Sequence, residues 1–115
     1  MTATAMSDTE LSALVAEKVM GWKKVVAPVT GTFVAWRDDA KFLHNNTPFF
    51  ATDSGLALEA ALKVGQHIEI ALHRDGQGYV SIYWPEKYEA VGTTVARALC
   101  FAALRAAGIE VEDDA

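Results

Sequence analysis

Two segments of alternating apolar and polar residues, joined by a tight turn, constrain the fold of this chain more than any other feature. Residues 67–73 and 79–84 each alternate with a period of two, and Asp75-Gly76 lies between them. Such alternation is typical of a strand with one buried face, and an Asp-Gly pair favours the turn of a hairpin. The sequence therefore predicts an antiparallel β-hairpin that ends at Pro85, which has no backbone donor for the ladder.

Three further segments have the apolar spacing and the end signals of helices. The predicted helices span residues 8–20, 54–64 and 94–106. Ser7 and Glu10 have the spacing of a capping box at the start of the first helix, and Asp53 and Thr93 are suitable N-caps for the other two. The third helix is rich in alanine, so it can approach a neighbouring element closely, either within the domain or in a second subunit.

The region between the first two helices is the least regular part of the chain. Residues 24–29 and 32–37 are rich in β-branched and aromatic residues and predict two short strands, whereas residues 38–48 are polar and predict a loop. The order α-β-β-α-β-β-α predicts an α+β fold with three helices around a four-stranded, mainly antiparallel sheet. We expect a single domain with flexible, solvated ends at residues 1–6 and 110–115.

Composition argues against several classes of function. The 115-residue chain has a net charge of −5 and a pI of about 5.0, which disfavours bulk nucleic acid because phosphates attract basic surfaces. No apolar segment approaches the roughly 18 residues that indicate a membrane span, and the N-terminus lacks the basic and apolar regions of a signal peptide. The single cysteine, Cys100, forms no intrachain disulfide. We therefore expect a cytoplasmic protein with no membrane partner.

Three segments are similar to the phage ABA sandwich domain family. Residues 13–22 (ALVAEKVMGW) resemble its opening helix, residues 50–54 (FATDS) its aromatic and Asp-containing segment before a helix, and residues 96–104 (ARALCFAAL) its closing helix. The resemblance is weakest over residues 23–47. It implies a three-layer α/β/α-type sandwich in a protein encoded by a phage or prophage, and hence a location in the host bacterial cytoplasm. The family defines no activity and no catalytic residues that carry over.

The sequence shows no constellation typical of catalysis or metal binding. His67, Glu69 and His73 lie on one predicted strand face, but the two histidines are about 20 Å apart at the rise of a strand, too far to bind one ion. The chain has neither a nucleophile elbow nor a glycine-rich phosphate loop, and Asp38-Asp39 is typical of a solvated turn. We therefore predict no catalytic residue, no metal and no cofactor, and we do not expect an enzyme.

A ligand site is the functional hypothesis that the residues favour. The segment before the second predicted helix brings aromatic side chains to a helix N-terminus, which attracts anions. This combination suits a nucleotide-like small molecule, although the Asp53 carboxylate would repel an anion. The alternative is that the aromatic residues complete the hydrophobic core. The candidate ligand-binding residues are Trp36, Arg37, Phe49, Phe50, Thr52, Asp53, Ser54 and Tyr83.

The expected function is that of a non-catalytic phage accessory protein. We expect it to bind a host protein or a small host-derived ligand and to act against antiphage defence. Two alternatives stay open: a protein that sequesters nucleotide second messengers, and a small enzyme of unknown reaction. We also expect a homo-oligomer, because the strip of Tyr79 and Tyr83 and the alanine face of the third helix can pack on a second copy.

Overall fold

This computed structural model describes residues 6–38, 40–44, 48–83 and 86–114. These residues form three helices and six strands in the order α-β-β-β-α-β-β-β-α. The helices are α1 (Asp8–Lys18), α2 (Ser54–Val64) and α3 (Val95–Ala106). The strands are β1 (Lys23–Val26), β2 (Phe33–Arg37), β3 (Leu43–His44), β4 (His67–Leu72), β5 (Gly78–Tyr83) and β6 (Lys87–Gly92). They form two antiparallel sheets, with strand orders β1-β2-β3 and β4-β5-β6.

The predicted α+β sandwich is confirmed, and each half contains one strand more than predicted. β3 falls inside the segment predicted as a loop and β6 follows the predicted hairpin, so the strands form two sheets of three where one four-stranded sheet was expected. β3 has only two residues and β6 has no run of large apolar residues, so neither shows the alternation that identifies a strand. Predictions made for residues 1–5, Trp84, Pro85 and Ala115 lie outside the described residues.

α3 forms the centre of the molecule. Residues Ala96 to Leu104 are all buried, and the helix packs on α1, α2, β5 and β6. Its close approach to β6 depends on a glycine, because a Cβ atom at Gly92 would lie 2.4 Å from the backbone nitrogen of Ala98. The alanine face that the sequence offered to a second subunit is thus covered by the same chain. None of the helices in the described ranges has the length and apolar character to cross a membrane.

Side-chain caps set the starts of α1 and α2. The Ser7 hydroxyl oxygen accepts from the Glu10 N–H at 3.1 Å, and the hydroxyl donates to the Glu10 carboxylate at 2.9 Å. The Asp53 carboxylate accepts from the Leu56 N–H at 3.1 Å. Both predicted caps are confirmed, because each supplies an acceptor to a backbone donor that has no partner within the helix.

The C-terminal segment runs along the outer edge of β6. The Asp114 N–H donates to the Val91 carbonyl at 3.1 Å, and the Asp113 carboxylate accepts from the Val91 N–H at 2.9 Å. Asp114 also accepts from the Thr93 N–H at 3.0 Å, and it is Thr94, one residue after the predicted Thr93, that caps α3. The expectation of a solvated end does not hold for these aspartates, whose side chains are 15% and 3% exposed, because both find hydrogen-bond donors.

Candidate binding surfaces

The structure does not bring the predicted ligand-binding residues together. Trp36 and Phe50 are 1% and 2% exposed and belong to the hydrophobic core, where the Trp22 ring meets Phe50 edge-on at 6.2 Å. Their rings offer no face to a ligand, in agreement with the alternative that these aromatic residues complete the core. Phe49, just before α2, is 68% exposed.

Thr52 and Ser54 line a cavity of about 670 Å³ at the N-terminal ends of all three helices. Residues at the starts of α1 and α3, together with Leu72 of β4 and Asp114, form its other walls, and none of the described lining residues is aromatic. Asp53, between the two lining residues, caps α2 with its carboxylate. Helix N-termini attract an anion, but the described walls provide no ring on which a nucleobase could stack.

Arg97 is the cation at this cavity, and its charge is matched by the chain itself. Its side chain is 8% exposed; Nε donates to Asp114 at 2.7 Å and Nη1 donates to Asp8 at 2.6 Å, while Nη2 donates to the Met6 carbonyl at 2.6 Å. The hydrogen bond to Asp114, with that to Asp8, raises the pKa of the Arg97 guanidinium against the opposing effect of burial. An anionic ligand would have to displace one of these carboxylates.

Tyr83 lies at the opposite end of the β4–β6 sheet from the cavity. Leu72 lines the cavity, and Tyr83 pairs with His67 at the other end of β4, about 17 Å away at the rise of a strand. The Tyr83 hydroxyl donates to Glu69 Oε1 at 2.6 Å. Tyr83 therefore belongs to the polar face of this sheet and does not contribute to the cavity.

Arg37 lies on a different surface, the outward face of the β1–β3 sheet. Arg37 is paired with Lys23 on one side and Leu43 on the other, and because side chains alternate along a strand, this row points away from the buried Trp36. Lys23 and Arg37 are exposed, and Leu43 and the adjacent Phe42 are 61% and 69% exposed. By the same alternation Phe42, which continues the ladder opposite Asp38, points to the other face, so Phe42 and Leu43 meet at the β3 edge of the sheet. Lys23, Arg37, Phe42 and Leu43, the exposed residues on and around this edge, are named the β2–β3 surface below.

A turn built around Asp38 presents Phe42 at this surface. The Asp38 carboxylate accepts from the Phe42 N–H at 2.9 Å, and the Asp38 N–H donates to the Phe42 carbonyl at 3.0 Å. Lys41 takes a left-handed φ of 69° within the turn. Hydrogen bonds therefore fix a segment in which the sequence indicated only a solvated turn; Asp39, the other residue of that prediction, lies outside the described residues.

A hydrogen bond between Asp38 and His44 joins this turn to the core. His44 Nε2 lies 2.8 Å from Asp38 Oδ2, and because an ionised carboxylate only accepts, Nε2 carries the hydrogen. The His44 ring stacks on Trp22 with 4.5 Å between centroids. The bond to His44, together with the Phe42 N–H, lowers the pKa of Asp38 against the opposing effect of burial. Sequence reasoning missed this pair because both residues lie within a segment predicted as a loop, where no pairing of side chains was expected.

The tip of the β1–β2 hairpin is also apolar and exposed. A β-bulge pairs Val26 with Phe33, which puts Phe33 on the face of Trp36, with 5.7 Å between the ring centroids. Val29 is 96% exposed, and Val34 is 54% exposed. One sequence signal could have located these surfaces. Val29 and Phe42 are large apolar residues in segments whose other residues form turns.

Residues 13–104 match the family described as the phage ABA sandwich domain. The chain belongs to this family. The phage ABA sandwich chain is also similar to a phage protein from Bacillus cereus ATCC 14579, whose crystal structure agrees with a TM-score of 0.73 over 97% of each chain at 17% identity. At that identity the likeness shows the fold alone. No curated protein matches the sequence.

The matched part of the phage ABA sandwich chain contains the β2–β3 surface and Arg97. Asp8 and Asp114, which hold the Arg97 guanidinium, lie outside residues 13–104. The family region of this chain thus supplies the cation at the cavity, and the flanking segments supply its counter-charges.

Proposed function

We propose that this phage ABA sandwich protein is a non-catalytic phage accessory protein that binds a host protein through the β2–β3 surface. The observation that carries the proposal is the exposure of Phe42 and Leu43 on the two sides of the β3 edge, with the cations Lys23 and Arg37 on the Leu43 side. Exposed apolar side chains grouped on one surface are typical of protein interaction sites, and aromatic residues and arginine are enriched in such sites. The proposed setting is the host bacterial cytoplasm.

The charge of this surface indicates the kind of partner. The chain has a net charge of −5, yet Lys23, Lys24, Arg37 and Lys41 are all exposed within or beside the β1–β3 sheet. Complementary charge steers association and disfavours partners of like charge. The partner that fits is therefore a host protein with an apolar centre and an acidic rim.

The alternative of a nucleotide-sequestering protein has weaker support. Such a protein needs a stacking face and an available cation, whereas the described walls of the cavity include no aromatic ring and Arg97 is held by Asp8 and Asp114. A ligand that prefers the folded state raises Tm. We expect cyclic dinucleotides and ADP-ribose derivatives to leave Tm unchanged; a rise with one of them would favour sequestration over host-protein binding.

Photo-crosslinking in cells tests the proposed surface. A photoreactive phenylalanine derivative replaces Phe42, in the β2–β3 surface, or Glu59, an exposed residue of α2, and crosslinked products are identified by mass spectrometry. We expect position 42 to trap one predominant host protein, position 59 not to trap it, and Arg37→Glu to abolish the product. Equal products at both positions, or a product that survives Arg37→Glu, would overturn the proposal.

A plating assay tests the proposed action against antiphage defence. Bacteria with an active defence system are infected while they express the wild-type protein or the Arg37→Glu variant. We expect the wild-type protein to raise the efficiency of plating and the variant not to raise it. Unchanged plating across a panel of defence systems would remove the anti-defence role and leave the crosslinking result to decide whether the surface binds a host protein.

A further inference from the structure

The outer edge of β4 is open in the described part of the chain. β4 pairs with β5 in an unbroken register, and the ladder continues to His73, whose N–H donates to the Gln77 carbonyl at 2.8 Å. Antiparallel ladders alternate between hydrogen-bonded and non-hydrogen-bonded pairs, so Ile68, Ile70 and Leu72 direct their backbone N–H and C=O groups toward the outer edge. No described strand pairs with that edge.

The opposite edge of the same sheet is protected. There, Asp113 and Asp114 bind backbone groups at and just after β6, and Arg105 donates to the Glu89 carbonyl. Soluble proteins protect exposed edges with lysine, proline, bulges or covering segments. The β4 sequence HIEIAL contains neither lysine nor proline, its register has no bulge, and no segment in the described ranges covers its edge.

Apolar side chains lie along this open edge. Ile70 and Leu72 are 45% and 68% exposed, on the sheet face whose central residues are covered by helices. α2 packs next to β4 and exposes Leu58 and Leu62, one helical turn apart and off the face of its buried alanines. An occupant that pairs with the strand edge gives the outward backbone groups hydrogen-bond partners. If it also covers these side chains, it buries the exposed apolar area.

We propose that the occupant is a second copy of this chain, paired antiparallel along β4 in a two-fold dimer. With Ala71 on the two-fold axis, Glu69 of each copy faces His73 of the other, and Ile70 of each copy faces Leu72 of the other. The outward backbone groups of Ile70 and Leu72 then form four hydrogen bonds across the seam. A two-fold axis makes every favourable contact twice, which is how one self-complementary strand specifies a closed dimer.

Charge favours this register over those centred on Glu69 and Ile70, and apolar pairing favours it over one centred on Ile68, in which His67 faces Glu69 but Ile70 of each copy faces Gln66 of the other. With Glu69 on the axis, two carboxylates face each other directly, which is unfavourable. With Ile70 on the axis, Glu69 faces Ala71 and no charge pair forms. The arrangement with Ala71 on the axis pairs the acidic and imidazole groups and leaves the smallest side chain of β4 where the two copies meet.

Solution mass tests the dimer. Light scattering is expected to give about twice the 12.4 kDa of the chain, and Ile70→Lys, which puts a charge on the edge, is expected to give the monomer mass with unchanged far-UV circular dichroism. Leu43→Lys is the matched control on the β2–β3 surface and is expected to remain dimeric while it loses the host-protein crosslink. A monomeric wild-type protein, or a dimer that persists in folded Ile70→Lys, would overturn the proposal.

Disulfide trapping tests the register independently of any loss of folding. A residue pair without ladder hydrogen bonds has Cα atoms about 4.5 Å apart, within the roughly 4.4–6.8 Å that a disulfide spans, so Ala71→Cys is expected to form a covalent dimer under mild oxidation. The native Cys100 is fully buried, and burial raises the pKa of its thiol to about 12. Lys18→Cys on α1 is the exposed control. No covalent dimer from Ala71→Cys, or an equal yield from Lys18→Cys, contradicts the proposed register.

Discussion

The two three-stranded sheets of this protein differ in how much of each is covered. In the β4–β6 sheet, Val80 and Ile82 are fully buried beneath the helices, and α3 packs along β5 and β6. In the β1–β3 sheet, Val34 and Leu43 are more than half exposed, while Trp36 is buried. One sheet supports the core and the other displays most of its side chains. We therefore expect substitutions in the two sheets to separate the stability of the fold from its proposed binding function.

The largest expected effect compares two phenylalanines. Phe101 on α3, the helix that packs along β5 and β6, is fully buried, whereas Phe42 is 69% exposed beside β3. Truncating a buried phenylalanine costs about 3–5 kcal/mol of unfolding free energy, so we expect Phe101→Ala to lose that amount. Phe42→Ala should change the stability by no more than about 0.5 kcal/mol, as is usual at the surface, while weakening co-purification of the host protein that the crosslinking identifies. Chemical denaturation measures the unfolding free energy of both variants. Equal losses of stability would contradict the contrast between a buried and an exposed phenylalanine.

The next effect concerns the ion pair that fastens the C-terminal segment to the start of α3. Asp114→Asn removes the charge from an acceptor held by Arg97 and Thr93, and hydrogen bonds to charged groups contribute about 1.5–3 kcal/mol. Burial raises the pKa of Asp114, but the bonds from Arg97 and Thr93 outweigh it and hold that pKa below its ordinary value of 3.8.

Because the folded pKa of Asp114 is depressed, its contribution to stability is fully present above pH 3.8 and is lost as the pH falls through the folded pKa. Urea unfolding at a series of pH values should therefore show the wild-type and Asp114→Asn proteins converging in acid. Glu112→Gln, at an exposed position of the same segment, serves as the control. A gap between wild-type and Asp114→Asn that stays constant with pH would contradict the assigned role of the carboxylate.

A smaller effect distinguishes the observed cap of α3 from the predicted one. Thr94 accepts from the Arg97 N–H at 3.2 Å, whereas the Thr93 hydroxyl donates to Asp114 at 3.3 Å. Loss of an N-cap costs about 1 kcal/mol, so Thr94→Ala should lower the unfolding free energy by about that amount and Thr93→Ala by less. Thermal or chemical unfolding of the two variants measures the difference, and the reverse order would favour Thr93 as the cap.

The sequence predicted the parts of the fold whose pattern repeats over many residues. The three helices and the β4–β5 hairpin were found because their apolar spacing is sustained, whereas β3 has two residues and β6 uses Ala90 and Gly92 to accommodate α3. The candidate site was harder, since local pattern does not reveal which aromatic residues are buried. Trp36 and Phe50 are covered through packing with residues distant in sequence, and Phe42 is left exposed by a turn.

The smallest expected effect tests how the β1–β3 sheet is fastened to the core. His44 lowers the pKa of Asp38, so the stabilisation that the pair provides is present above pH 3.8 and is lost as the pH falls through the folded pKa of Asp38. We expect Asp38→Asn to remove this part of the acid sensitivity, measured by tryptophan fluorescence because the His44 ring stacks on Trp22. In a His44→Phe background, which keeps an aromatic ring and removes the hydrogen bond, Asp38→Asn should have a clearly smaller effect on the pH dependence, because only the backbone hydrogen bonds to Asp38 remain. If Asp38→Asn changes that dependence equally in both backgrounds, the two residues do not act as a pair, and the sheet is held to the core by ring packing instead.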